Sequence, residues 1–335
     1  MPLSAALTAT VFAVAAVVSA LLTAGWIAFA KHAVLMDQPG GRRLHGQATP
    51  RGGGAGIALL TAGAWYAWST QLLVGLPTLW VGSGIALFAL VGLIDDFRPM
   101  AALPKLTGQL LAAAVLCAGT PEPQSLLGLL LILACAYWVN IVNFMDGSNG
   151  MVGTQGLLLA LVLAAWPGQQ AGLVVMALVL AGACAGFLPF NLGVARVFLG
   201  DVGSHAIGAA LFALFLASWR AGVLPLACAL TLATPLLLDS GLTLARRVLA
   251  GRTPWRAHRE HLYQYAVRTG SRPLQVALAY AGWTLASSLL SILGLTLRSS
   301  SVMWTLCILN AALGSAAYFG LRQRWLLARR HRRVG

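Results

Sequence analysis

The acidic residues of this 335-residue chain number only eight, and four of its aspartates fall in three short polar breaks between apolar runs: Asp95-Asp96, Asp146 and Asp201. Adjacent carboxylates at the end of an apolar helix repel each other unless a metal, a cation or water compensates, so either Asp95 or Asp96 is a candidate to hold a proton and act as a base. Lys105 follows within reach of that pair or of a bound diphosphate. The competing reading is an interfacial helix cap with a snorkelling lysine. In the second break, Asn140, Asn143 and Asp146 are spaced by three, which sets them on neighbouring faces of the last helical turns, and Gly147 lets the chain leave the helix. Converging amide and carboxylate oxygens suit Mg²⁺, and helix capping would use the same residues. The third break runs from Asn191 through Phe198, Gly200, Asp201, Gly203 and Ser204. Its glycines allow close approach of a ligand to the backbone, and Phe198 is placed to stack on a base. Asp201 could equally cap a helix, and His205 reads as a satisfied core histidine.

Two basic segments accompany these acids. The loop from Asp37 to Gly54, DQPGGRRLHGQATPRGGG, offers backbone donors near Arg42, Arg43, His45 and Arg51 to phosphate oxygens. The longest polar segment, 239–273, carries Arg246, Arg247, His258, Arg259, Glu260 and His261. Its histidines are three apart with no further ligand spaced for zinc, so a clamp on a diphosphate is the better expectation.

Long apolar elements must position these groups. With 59% hydrophobic residues, 9% charged and a mean hydropathy of +0.81, the chain is expected to be an all-α polytopic membrane protein. About eleven spans are predicted, at roughly 4–30, 54–70, 76–94, 103–119, 125–142, 151–167, 171–190, 204–219, 223–240, 274–296 and 301–321, in one domain over 1–335 with a basic tail at 322–335. With the amino terminus outside and the carboxyl terminus inside, 20 of the 22 basic residues face the cytoplasm, leaving only Arg220 and Arg298 outside. The net charge of +14 then points to lipid headgroups and anionic substrates, and away from nucleic acid, for which there is no folded basic domain. The five cysteines all lie in apolar runs without CxxC pairing and read as core residues. The first span lacks a basic leader and is expected to be retained.

Taken together, the blocks resemble the polyprenyl-phosphate N-acetylhexosamine-1-phosphate transferases, glycosyltransferase family 4 in the broad sense. The carriers of the resemblance are DxPxxRxxHxxxTPRxGG from Asp37 to Gly53, the Asp95-Asp96 pair with KLxxQ at Lys105 to Gln109, NxxNxxDG at Asn140 to Gly147, FxGDxGS at Phe198 to Ser204, and HRxHxYQ at His258 to Gln264. The resemblance implies that Asp201 and Asn143 hold Mg²⁺, with Mn²⁺ as a substitute, and that Asp146 stands beside them. It implies further that Asp95 or Asp96 is the base, that Phe198 and Asn191 contact the uridine, and that Arg51, Lys105 and His261 hold phosphate oxygens. Asn140, Gly200, His258 and Arg259 complete the candidate substrate contacts. Two departures stand out. Asn149 replaces the second aspartate of the usual DGxDG, and His261-Leu-Tyr263-Gln264 replaces a multiple-histidine run, which looks like the O-antigen-initiating branch.

The expected activity is transfer of a sugar 1-phosphate from a UDP-N-acetylhexosamine to undecaprenyl phosphate, with release of UMP, in the bacterial plasma membrane. A peptidoglycan lipid I-forming translocase is the alternative within this class. A transporter would place its ionisable residues near the bilayer midplane and often repeat its halves, and neither pattern is present. A non-catalytic lipid-binding scaffold has no need of four clustered aspartates. Oligomeric state is left open, a homodimer being one option.

Overall fold

The computed structural model describes residues 3–32, 36–37, 48–68, 72–73, 76–120, 124–253 and 259–334. The chain forms two compact units, Met1–Leu224 and Pro225–Gly335.

The first unit contains α1 (Ala5–His32), α2 (Ala55–Ala67), α3 (Thr78–Phe97), α4 (Ala102–Cys117), α5 (Leu126–Phe144), α6 (Met151–Ala164), α7 (Ala171–Asn191) and α8 (Gly200–Arg220). Two antiparallel pairs of two-residue strands are the exceptions to the all-α expectation: β1 (Met36–Asp37) with β2 (Thr49–Pro50), and β3 (Leu72–Leu73) with β4 (Leu76–Pro77). Helix α8 is the hub. It packs against α2, α3, α5, α6 and α7, and nearly all of its residues are buried. Helix α1 lies against α2 and α7 and leaves Val14, Val17 and Leu21 exposed, as a lipid-facing helix should. Local chemistry sets the boundaries. Arg98 precedes Pro99 and is extended, which ends α3, and the Ser125 hydroxyl accepts the Gly128 N–H at 3.2 Å to open α5.

The second unit contains α9 (Leu226–Leu249), α10 (Leu262–Arg268), α11 (Pro273–Thr296) and α12 (Ser300–Val334), with α9, α11 and α12 mutually packed. Residues 239–249, at the start of the long polar segment 239–273, continue α9, with Asp239 accommodated inside the unit by hydrogen bonds. The basic tail from 322 continues α12, since nothing in its sequence breaks the helix.

Among the described residues, eight helices are long and apolar enough to cross a membrane. The other three expected spans coincide with α2, α4 and α6, of 13, 16 and 14 residues, shorter than the roughly 20 that a bilayer requires. The chain is therefore polytopic, with eight helices of spanning length and three shorter apolar helices among the described residues.

Candidate active site

In the first unit, the ends of α3 and α5 and the starts of α4 and α8 converge. The Lys105 ammonium lies 3.2 Å from Asp95 Oδ2 and donates also to Asp201 Oδ2, so one cation holds two carboxylates from different helices. Asp95 is fixed from its other side by the Met100 N–H at 2.6 Å. Asn143 donates through Nδ2 to Asp201 at 3.4 Å, and its Oδ1 accepts the Ser204 hydroxyl at 3.1 Å. As placed, Asn143 turns its nitrogen toward Asp201 and its oxygen away.

The two members of the adjacent pair differ. Asp96 accepts the backbone N–H groups of Asp201 at 3.0 Å on Oδ1 and of Val202 at 3.1 Å on Oδ2. It thus satisfies two of the donors that the first turn of α8 leaves without intrahelical partners, from a neighbouring helix. Its side chain is 2% exposed and 3.6 Å from the Arg51 guanidinium, which is itself 31% exposed. Asp95, at 16%, is the accessible member.

The glycines around Asp201 lie at a seam where two backbone segments meet. Segment 50–54 docks on 198–199 through Phe198 N–H to Pro50 O at 2.8 Å, Gly53 N–H to Phe198 O at 2.9 Å and Gly54 N–H to Leu199 O at 2.9 Å. Gly200 is buried at φ +75°, where a Cβ would run into Asp96 and the backbone of Gly52, and Gly203 abuts Gly54. Backbone packs on backbone here, which holds Gly200 between Asp96 and Gly52. Phe198 is half-buried beside this seam.

Asn191 is also a brace. Its Oδ1 accepts the Gly150 N–H at 2.7 Å and its Nδ2 donates to Val197 O at 2.9 Å, which ties the turn after α5 to the approach of α8. Asn149, the departure from the family pattern, donates to Gly193 O at 2.9 Å and adds a second tie. Between these braces, the half-buried Asp146 carboxylate has no hydrogen-bond donor among the described residues. Burial, then the charges of Asp201 and Asp96, push its pKa well above the usual carboxylate range, against a smaller opposing pull from Arg51.

One buried chain of hydrogen bonds was not foreseen. Asn140 Nδ2 donates to Gln109 Oε1 at 2.7 Å, the Gln109 amide nitrogen meets His205 Nε2 at 2.7 Å, and His205 Nδ1 meets the Asp201 carbonyl at 2.6 Å. Since a carbonyl only accepts, Nδ1 carries the proton and Nε2 accepts, which fixes His205 as the neutral Nδ1–H tautomer. His205 is thus the satisfied core histidine that the sequence suggested, and Asn140 acts inside the protein. The clue to Gln109 was its spacing of four from Lys105, on the same helical face.

A family model for glycosyl transferase family 4 matches residues 78–219, the segment that holds the Asp95, Lys105, Asn143 and Asp201 cluster. The decaprenyl-phosphate N-acetylglucosaminephosphotransferase of Mycolicibacterium smegmatis is 30% identical over 298 residues, covering 73% of this chain and 71% of that protein. The chain belongs to glycosyl transferase family 4. Two further relatives match over less. The undecaprenyl-phosphate alpha-N-acetylglucosaminyl 1-phosphate transferase of Thermotoga maritima is 30% identical over 201 residues, 58% of this chain and 61% of its own. The phospho-N-acetylmuramoyl-pentapeptide-transferase of Moorella thermoacetica is 38% identical over 156 residues, 37% of this chain and 48% of its own.

The second unit of this family 4 chain has its own polar network. Asp239 accepts the Leu262 N–H at 2.7 Å, the Tyr263 N–H at 3.2 Å and the Tyr280 hydroxyl at 2.6 Å, so it caps α10 much as Asp96 caps α8. An acid inside an apolar run was the available signal for it. His261 is 3% exposed, with Nδ1 3.6 Å from Asp239 and its ring stacked on Tyr263 at 5.8 Å between centroids. The Arg259 carbonyl accepts from Arg268 at 3.5 Å. His258 lies outside the described residues.

Proposed function

We propose that the chain transfers N-acetylglucosamine 1-phosphate from UDP-N-acetylglucosamine to undecaprenyl phosphate, releasing UMP, at the cytoplasmic face of a bacterial plasma membrane. The observation that carries this reading is Lys105 held between Asp95 and Asp201 at helix ends in a family 4 chain. The names of the M. smegmatis and T. maritima relatives supply the N-acetylglucosamine. The product would enter O-antigen or other cell-surface polysaccharide synthesis.

In this mechanism an oxygen of the lipid phosphate attacks the β-phosphorus of the donor. A new P–O bond forms, the bond to the bridging oxygen breaks, and UMP leaves with that oxygen. Asp95, accessible and bonded to Lys105, takes the proton of a monoprotonated acceptor phosphate. Lys105 exchanges a carboxylate for a phosphate oxygen as negative charge builds, and Arg51 offers the exposed part of its guanidinium to the same group. Asp96 keeps the start of α8, and with it Asp201, in place.

Among the described residues no three His, Cys, Asp or Glu side chains form a metal cage. Mg²⁺ needs none, because it binds through one or two carboxylates and substrate phosphates while keeping waters. Asp201, together with Asp146, whose carboxylate has no donor among the described residues, fits that requirement and would hold it, with Asn143 orienting Asp201. When bound, Mg²⁺ neutralises charge on the diphosphate.

The test is UMP release by purified protein with Mg²⁺, offering UDP-N-acetylglucosamine, UDP-N-acetylmuramoyl pentapeptide and 6-deoxy UDP-N-acetylhexosamines against undecaprenyl and decaprenyl phosphate. Turnover with UDP-N-acetylglucosamine is expected. Turnover with the muramoyl pentapeptide donor alone would replace this reading by lipid I formation.

A further inference from the structure

The second unit carries an open cavity of about 490 Å³ with six arginines in its wall, Arg246, Arg247, Arg252, Arg259, Arg268 and Arg322. Glu260 is the one carboxylate that lines it among the described residues, and it is already shared by Arg246 at 2.7 Å, Arg247 at 2.8 Å and Arg252 at 2.9 Å. Among the described residues neither Arg268 nor Arg322 forms an ion pair, and the Nε donors of Arg246 and Arg322 are buried without an acceptor. A wall that keeps buried cationic donors unsatisfied is built for an anion with several acceptor oxygens.

The place of the cavity narrows the source of that anion. Arg246 and Arg247 occupy the last turn of α9, and the apolar segment of α12 ends at Leu327, so Arg322 and Trp325 stand in its last turns. Both positions stand at the ends of helices long and apolar enough to cross a membrane, where headgroups meet such helices. Tyr265 and Trp325 pack at 4.2 Å between centroids, with the Arg268 guanidinium 5.6 Å from the Trp325 ring, an aromatic floor of the kind found at membrane interfaces. Beside the arginines, Val248 is 58% and Leu249 88% exposed, and apolar side chains so placed suit acyl chains rather than water.

We propose that this cavity binds the phosphate headgroup of an anionic membrane phospholipid. The basic wall between helix ends recognises the phosphodiester, and the exposed apolar residues accommodate the chains.

The experiment is native mass spectrometry and thermal-shift titration of detergent-stripped protein with phosphatidylglycerol, phosphatidylcholine, inorganic phosphate and pyrophosphate. Phosphatidylglycerol should bind and raise Tm, phosphatidylcholine should do neither, and the two inorganic anions should not compete at equal concentration. An R268Q/R322Q double variant, which leaves the Glu260 pairs intact, should bind phosphatidylglycerol roughly 30-fold more weakly, at about fivefold per arginine, and R268K/R322K should recover most of the loss. Independently of any variant, binding to the wild type should weaken steeply as ionic strength rises. Equal binding of the two lipids, wild-type affinity in R268Q/R322Q, or salt-independent binding would overturn the proposal. Tight pyrophosphate binding that R268Q/R322Q abolishes, with no preference for phosphatidylglycerol, would reassign the cavity to a soluble phosphate.

Discussion

Replacing Asp96 by Asn separates architecture from chemistry in the adjacent aspartates. The wild-type carboxylate presents one oxygen to the Asp201 N–H and the other to the Val202 N–H. An amide has one oxygen, so its NH₂ must face one of these backbone donors. A buried charge-assisted hydrogen bond is lost and an N–H is left without an acceptor, together about 2–4 kcal/mol. The favourable carboxylate at the helix start also goes. For a unit of this size the loss corresponds to a fall in Tm of roughly 4–16 °C. Asp95→Asn keeps an oxygen for the Met100 N–H and loses mainly a partly exposed ion pair, while Lys105 retains Asp201. Its stability cost should stay below about 1 kcal/mol. Its kcat should nevertheless fall on the order of 10²-fold or more through loss of a positioned base. Paired thermal unfolding in detergent and UMP-release assays on both variants read the difference. A D96N protein with wild-type Tm, or a D95N protein with wild-type kcat, would refute this division of roles.

Four further outcomes are expected. Asp201→Asn should abolish turnover, and EDTA should do the same to the wild type, both followed by UMP release; full activity in EDTA would remove the metal from the mechanism. Gly200→Ala forces a left-handed residue into contact with Asp96 and Gly52 and should cost at least about 1–2 kcal/mol in thermal unfolding. Glu260 lies below the usual glutamate range because, despite partial burial, the hydrogen bond from Arg246 and the charges of Arg246, Arg247 and Arg252 favour its ionised form. A depressed pKa stabilises the fold above the unfolded value near 4.5 and ceases to do so as pH falls through the folded value, so Glu260→Gln should destabilise at pH 7 and cost progressively less as pH falls below 4.5 in a pH series of Tm. A single cysteine at Gln124 should react with a membrane-impermeant maleimide from outside, and one at Arg252 should not; the reverse pattern would invert the proposed orientation.

Residue type and spacing alone determined that this chain is helical and membrane-embedded, because apolar runs of bilayer length can satisfy their backbones in lipid only as helices. They also singled out Asp95, Lys105, Asn143 and Asp201, since acids and a lysine beside long apolar runs demand a compensating partner. Which partner each one finds was not legible. Asp95 and Asp96 are neighbours in sequence, but a helix turns its successive residues about 100° apart. One therefore meets Lys105, and the other the amides of α8. Packing also made Asn191 and Gly200 braces, linked Gln109 and His205 to the Asp201 backbone, and buried Asp239 as a cap for α10. Most of these ties join residues far apart in the chain, and a one-dimensional pattern cannot carry the distance between helices that only their packed faces define.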